Sequence, residues 1–213
     1  HKSFHRRLNM FVSPHANLSH YLEGMKMRTK LNLGCGFDKR AGYLNVDSFE
    51  KCEPDLLQNL EEFPWALETN GFDYILMKHV LEHIGSDFET FRQIMQELYR
   101  ITEPNGVVEI HVPHYRHDSY WSDPTHVRAF SPFTFQMMSK KQNNEWMAQR
   151  GNYTMLAHLM EVDFELEDAL QVYDSDWLQR VESGEINREQ LRELSKTSWG
   201  VVKEIQVKIR AIK

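Results

Sequence analysis

Cysteine is scarce in this chain: there are two in 213 residues, Cys35 and Cys52. Two thiols make no disulfide framework, and a reducing compartment suits them best. Long apolar runs are missing as well. No stretch approaches the ~18 apolar residues of a membrane span, and the opening His1-Lys2-Ser3-Phe4-His5 lacks the apolar centre of a signal peptide. A cytoplasmic location without a membrane partner is therefore expected. Excess positive charge is absent too, because 25 Lys and Arg face 31 Asp and Glu for a net charge of −6. Such a chain has no general attraction for a phosphate backbone, and a nucleic acid is not an expected partner. Two basic patches, His5-Arg6-Arg7 and Lys26 to Lys30, read as solvated faces or an entry segment. Internal repeats and low-complexity segments do not occur.

What is present, 41% hydrophobic and 26% charged residues, suits one soluble domain over residues 1–213 with a sizeable core. The stretch Lys30-Leu31-Asn32-Leu33-Gly34-Cys35-Gly36 stands out. Its apolar alternation stops at two glycines one residue apart, the pattern of a buried strand followed by a turn where backbone can approach a ligand. Gly-x-Gly occurs in many ordinary turns, so the neighbours must decide its meaning.

Residues 1–29 read as an N-terminal arm or lid, with a short helix from Ser13 through Leu22. A second strand, Tyr43-Leu44-Asn45-Val46, ends on Asp47, too close behind the glycine turn for a full helix between them. Asp55-Leu56-Leu57 is a short strand, Asn70-Gly71 a turn, and Phe72 to Met77 a clear strand. Ser86 and Glu89 have capping-box spacing ahead of a helix whose Phe88, Phe91, Ile94, Met95, Leu98 and Ile101 share a face. Glu103-Pro104-Asn105-Gly106 ends it, and Val107 to Val112 is the next strand. Residues 114–160 read as irregular, dense in aromatics, His and Met, and supply acceptor-site loops. A strand over Asp163 to Val172, a helix opened by Asn187 with Gln190, and an alternating strand within 201–212 close the chain.

This order predicts an α/β fold with a mostly parallel sheet and flanking helices. Ligands bind such sheets beyond the carboxyl ends of the strands, where Gly34, Asp47, Asn59, His79 and His114 fall. A dinucleotide site does not fit, because Lys39 holds the third glycine position and Asp47 comes too early. His79-Val80-Leu81-Glu82-His83 has the His-x-x-Glu-His spacing of a zinc hydrolase, an alternative reading. A wider set of His111, His114, His117, Asp118, Asp123 and His126 is a second candidate for a divalent ion, with His111 read as a core residue. No metal site is assigned, and a divalent metal is not expected to be required.

Taken together, Leu31-Asn32-Leu33-Gly34-Cys35-Gly36, Asn45-Val46-Asp47, Phe72-Asp73-Tyr74-Ile75, His79-Val80-Leu81-Glu82-His83-Ile84 and Leu98 to Gly106 resemble the class I S-adenosylmethionine-dependent methyltransferases, particularly the type 11 branch, over residues 29–115. The resemblance implies a Rossmann-like, seven-stranded sheet, mostly parallel, with a reversed C-terminal hairpin and helices on both faces. It implies S-adenosylmethionine as cofactor, with S-adenosylhomocysteine as product, passing over Gly34, Cys35 and Gly36. Asp47 would take the ribose hydroxyls, which a carboxylate can accept two at a time. Asn59 and Leu60 would read the adenine, and His79 would stand beside the methyl group.

The sequence departs from the family at Asn32, where an acid is usual, at Asp38, where a third glycine is common, and at Asn105 in place of a glycine. The compact glycine motif with Asn-Val-Asp soon after is similar to a subgroup associated with sugar or polysaccharide modification. That implies a small-molecule acceptor, a sugar or nucleotide-sugar, methylated on a hydroxyl or amine. The bases expected from position and chemistry are His79, His114 and His117. Tyr115, Arg116, Tyr120, Trp121, Asp123, His126 and Arg128 are expected to shape the acceptor pocket. A protein that binds the cofactor without catalysis is the remaining alternative.

Overall fold

The computed structural model describes residues 29–213. The expected N-terminal helix from Ser13 and the patch at His5 to Arg7 lie outside the described residues. Seven strands form one sheet in the order β3-β2-β1-β4-β5-β7-β6. They are β1 Lys30–Leu33, β2 Tyr43–Asp47, β3 Leu56–Leu57, β4 Phe72–Lys78, β5 Thr102–Pro113, β6 Phe164–Tyr173 and β7 Val202–Ala211. Strands β1 to β5 run parallel, while β7 is antiparallel to both β5 and β6. The reversed terminal hairpin expected from the family likeness is therefore present.

Side-chain alternation sorts the sheet into two unlike faces. Leu31, Leu33, Ile75, Met77, Val108, Ile110, Val207 and Ile209 join one apolar cluster. Helix α1, Phe88–Ile101, completes it by burying Phe91, Ile94, Met95, Leu98 and Ile101. Each such side chain contributes about 1.5–3 kcal/mol on burial. The helix is capped by Asp87, which accepts from Thr90 N, rather than by the expected Ser86–Glu89 pair. Phe88, expected on the buried face, is 42% exposed.

The opposite face carries Asn32, Asn45, Tyr74, Glu109, His111, Glu204 and Gln206, placed by the same register. No helix follows β1: residues 34–42 form a turn and loop, as the short spacing predicts. Buried asparagines organise that loop in place of a helix. Asn32 Nδ2 donates to Asp38 O (3.0 Å) and Asn45 Oδ1 (3.1 Å), and Asn45 Oδ1 also accepts from Arg40 N (2.8 Å). Asn45 Nδ2 donates in turn to Asp55 Oδ2 (3.0 Å).

Residues 103–106 loop out within β5, so Thr102 pairs with Phe72 but Val107 with Tyr74. Residues 114–160, read as irregular, carry four short helices: α2 Asp118–Trp121, α3 Pro132–Gln136, α4 Lys140–Ala148 and α5 Leu156–Met160. Helices α6 Ser175–Glu182 and α7 Arg188–Thr197 lie between β6 and β7. Asn187 and Gln190 close the expected capping box at α7. Because β7 is antiparallel to β5, this insertion sits at the carboxyl end of β5, where Arg116 donates to the carbonyls of Ser195 and Lys196.

Candidate functional site

At the end of β1 the chain turns through Gly34 (φ +65°) and Gly36 (φ +48°), both left-handed. A Cβ on Gly34 would lie 2.3 Å from Val80 Cγ2, whereas one on Gly36 would meet nothing within 4 Å. The turn is thus tight on its inner side and open on its outer side. Asp47, at the tip of β2, fastens it: Oδ2 accepts from Gly36 N (2.7 Å) and Oδ1 from Phe49 N (2.8 Å). Each carboxylate oxygen retains a second lone pair for a hydroxyl donor.

These groups open onto a crevice of about 320 Å³ lined by Gly34, Gly36, Asp47, Asn59, Leu60 and His79, all singled out by the sequence. Ser48, Gln58, Val80, His83 and Ile84 complete it without having been anticipated. The remaining expected member, Cys35, faces a neighbouring hollow with Asn32, Asp38 and Lys78. Burial and then the charge of Asp47 push its thiol up to about 12, so it stays a neutral SH.

His79 follows β4 in a left-handed conformation (φ +55°). Its Nε2 lies 2.8 Å from Glu204 Oε2 and its Nδ1 lies 3.3 Å from Glu82 Oε1. Hydrogen bonds to Glu204 and then Glu82 raise it to about 9 against the opposing effect of burial. Burial also opposes ionisation of Glu204, yet the hydrogen bonds from His79 and Gln206 hold that carboxyl down at about 2. At neutral pH His79 is an imidazolium with both nitrogens engaged. It has no lone pair for a proton.

His114 is neutral for the opposite reason. It is buried, its Nδ1 accepts from Arg116 N (3.1 Å), and its ring stacks on Tyr115 with centroids 4.5 Å apart. Burial, helped by the charges of Arg116 and His117, pushes it down to about 4. His117 caps α2 through Nδ1, which accepts from Ser119 N (3.1 Å), and its Nε2 reaches Asp174 Oδ2 (3.3 Å) at the start of the insertion.

A second cavity, about 270 Å³, adjoins the first and shares His79 and His83 with it. Glu82, Asp123, His126 and Glu204 line it, with Pro113, Ser119 and Lys203. Of the seven expected acceptor residues it gathers Asp123 and His126. Tyr115, Arg116, Tyr120, Trp121 and Arg128 stand outside its lining, as do His114 and His117. Tyr120 is buried and packs its ring against His126, centroids 5.3 Å apart. Trp121 Nε1 donates to Tyr115 O (3.0 Å). Arg128 donates to Gly85 O (2.7 Å) and covers the Phe91 ring at 4.3 Å. Lys203 and Glu204 both lie on β7, far along the chain from the aromatic loop, and no local motif marks them.

One wall of this cavity holds three atoms with no hydrogen-bond partner among the described residues. The 3-10 turn Leu81–His83 presents Glu82 and His83, and Val127 N donates to Glu82 O (2.8 Å), which draws His126 alongside. His83 Nδ1 meets Thr125 Oγ1 (2.8 Å), whose own proton goes to Asp123 Oδ1 (2.6 Å). His126 Nδ1 meets Tyr120 O (2.6 Å). Both Nδ1 atoms must therefore carry hydrogen, and each Nε2 is an acceptor whenever its ring is neutral. Glu82 is 1% exposed, and its Oε2 has no partner.

The predicted zinc trio of His79, Glu82 and His83 does not assemble, because both nitrogens of His79 face carboxylates. The wider set disperses too. His111 binds Glu109 (2.7 Å), while His114 and His117 hold backbone amides.

Residues 31–110 match a family model described as a methyltransferase domain. Among curated proteins none matches the chain. Among solved structures, a SAM-dependent methyltransferase from Archaeoglobus fulgidus is 17% identical with a TM-score of 0.51, covering 92% of this chain and 91% of that one. One from Listeria monocytogenes described as a putative S-adenosylmethionine-dependent methyltransferase is 14% identical with a TM-score of 0.50, covering 93% and 97%. A point mutant of the 16S rRNA (adenine(1408)-N(1))-methyltransferase from Catenulisporales acidiphilia is 11% identical with a TM-score of 0.51, covering 92% and 91%. At these identities the structures speak for the fold, and the family match speaks for residues 31–110. With its reversed hairpin, its glycine turn and Asp47 at the tip of β2, the chain has the fold of the class I S-adenosylmethionine-dependent methyltransferases, and its residues 31–110 match a methyltransferase domain.

Proposed function

We propose that the chain methylates a hydroxyl of a small molecule seated in the cavity beside His83 and His126. The observation that carries this reading is the junction of the two cavities: His79 and His83 belong to both, so a donor in one meets an acceptor in the other across a single wall. The cofactor supplies a sulfonium methyl group. Everything else is positioning and exclusion of water.

In this proposal Asp47 takes the ribose hydroxyls while Gly34 and Gly36 let the cofactor lie against backbone. Asn59 and Leu60 face its base. His79, already protonated, does not serve as the base; it ties β4 to β7 through Glu204 and fixes Glu82. The acceptor hydroxyl docks at the wall formed by Glu82, His83 and His126, donates its hydrogen bond to one of their acceptor atoms, and gives that atom its proton as the oxygen attacks the methyl carbon and the carbon–sulfur bond breaks. Lys203 offers a charge to an anionic group on the acceptor.

A small acceptor is favoured over a polymer by the modest size of the second cavity, which lies between residues 113–126 and Lys203–Glu204 beside the insertion, and by the net charge of −6. Incubation with radiolabelled S-adenosylmethionine and separate pools of sugars, nucleotide-sugars, hydroxy acids and RNA tests this. Label in a small hydroxylated pool supports the reading, and label only in RNA overturns it.

A further inference from the structure

Glu82, His83 and His126 stand close enough together to form a metal-ligand set. We propose that Glu82, His83 and His126 bind a divalent transition-metal ion at the wall of the acceptor cavity. One donor atom from each residue lies within 4.8 Å of the other two, so sub-ångström shifts bring all three to the ~2.0–2.2 Å of zinc–nitrogen and zinc–oxygen bonds.

Two further observations point to a ligand. Oε2 of Glu82 is buried without a partner, a costly state for a carboxylate oxygen that a cation relieves. Both imidazoles also have their outer nitrogens fixed as metal-binding histidines do: His83 Nδ1 on Thr125, itself held by Asp123, and His126 Nδ1 on the Tyr120 carbonyl. Two imidazoles and one carboxylate, with open positions toward a cavity, suit zinc or a neighbouring first-row ion better than magnesium or calcium, which prefer oxygen cages. The other close cluster, Cys35, Asp47 and Cys52, lacks these features, since Asp47 is occupied by two amides and Cys52 Sγ donates to Phe49 O.

The role of the ion rests on the acceptor reading above; its binding does not. With Glu82, His83 and His126 holding an ion, the ion would lower the pKa of a hydroxyl placed on it, and that proton would pass to water in the open cavity rather than to the three side chains.

The test is calorimetric titration of the chelator-stripped protein with zinc chloride, and with cobalt chloride followed by visible absorption, with no methyl donor present. One ion per chain with a tetrahedral or five-coordinate cobalt spectrum is expected. Glu82→Gln and His126→Ala should each weaken binding by at least 100-fold. Thr125→Val, which keeps all three ligands, should weaken it about 10-fold, and His158→Ala, at an exposed position of α5, should leave it unchanged. Circular dichroism checks that each variant is folded. No stoichiometric binding to the parent protein, or binding equally strong in Thr125→Val and His126→Ala, overturns the proposal. Loss of metal binding would leave methyl transfer to be judged separately by the pooled-acceptor assay, so the two readings fail independently.

Discussion

Asn32 and Asn45 sit side by side on β1 and β2, buried, with Asn32 Nδ2 donating to Asn45 Oδ1 at 3.1 Å. Between them they hold the loop that a helix would otherwise hold. Asn45 Oδ1 is fixed as an acceptor because Arg40 N also donates to it. The acid usual in the family at position 32 would point a carboxylate at two acceptors, Asp38 O and Asn45 Oδ1. Asn32→Asp is therefore expected to cost about 2–4 kcal/mol at neutral pH. The deficit should shrink as pH falls, because the folded protein prefers the protonated acid. Urea unfolding at two pH values measures it, and an unchanged midpoint at neutral pH would contradict the account.

The two glycines should respond differently. Gly34→Ala places a methyl 2.3 Å from Val80 Cγ2 in a left-handed conformation, and about 3 kcal/mol or more should be lost. Gly36→Ala meets no atom and should cost about 1–2 kcal/mol, all of it conformational. Equal losses in thermal unfolding would show that the Val80 contact does not matter.

Asp47→Ala should abolish the rise in melting temperature produced by S-adenosylhomocysteine. Part of the loss is direct, through the missing carboxylate, and part comes from releasing Gly36 N and Phe49 N. Asp47→Asn keeps one acceptor oxygen and should retain a reduced shift. A full shift in Asp47→Ala would remove this residue from the cofactor site.

His126 lines the second cavity, proposed to hold the acceptor, and not the crevice beside Asp47. Its replacement by Ala should lower turnover by about 10²–10⁴-fold, while the Kd for S-adenosylhomocysteine stays nearly unchanged. Steady-state kinetics paired with calorimetry separates these effects. A weakened Kd with normal turnover would reverse the assignment of the two cavities.

His114 sets a pH dependence of stability. Its folded value lies near 4, below the unfolded 6.5, so between those values the unfolded chain binds more protons than the folded one. Stability should fall as pH drops from 6.5 toward 4, by about 1.4 kcal/mol per unit from this group, and be insensitive to it above 6.5. His114→Gln should flatten that limb in urea unfolding carried out from mildly acidic to neutral pH. An unchanged slope would locate the acid sensitivity elsewhere.

Much of the cofactor side was legible in the sequence because it is local. The spacing from Gly34 to Asp47 allows no helix, the alternation of β1 names its buried side chains, and a glycine turn, an acid at a strand tip and a segment after β3 fall beyond carboxyl ends by topology alone. The acceptor side was less legible because it is assembled from distant segments. From the aromatic loop only Asp123 and His126, of its expected acceptor residues, reach the second cavity. Arg116, Trp121 and Arg128 are drawn to backbone carbonyls that composition cannot reveal.

By itself the sequence determined the succession of strands along the chain and the glycine turn, since periodicity and turn chemistry act over a few neighbouring residues, while the reversed hairpin was implied by the family resemblance alone. Only the tertiary structure decided the protonation and pairing of the histidines. His79 became an imidazolium because β7 brings Glu204 to it from the far end of the chain. His114 was left neutral by burial, and Glu82, His83 and His126 converged because a backbone hydrogen bond from Val127 folds one loop onto another. A side chain's charge depends on what surrounds it in space, and that is fixed only when the sheet closes.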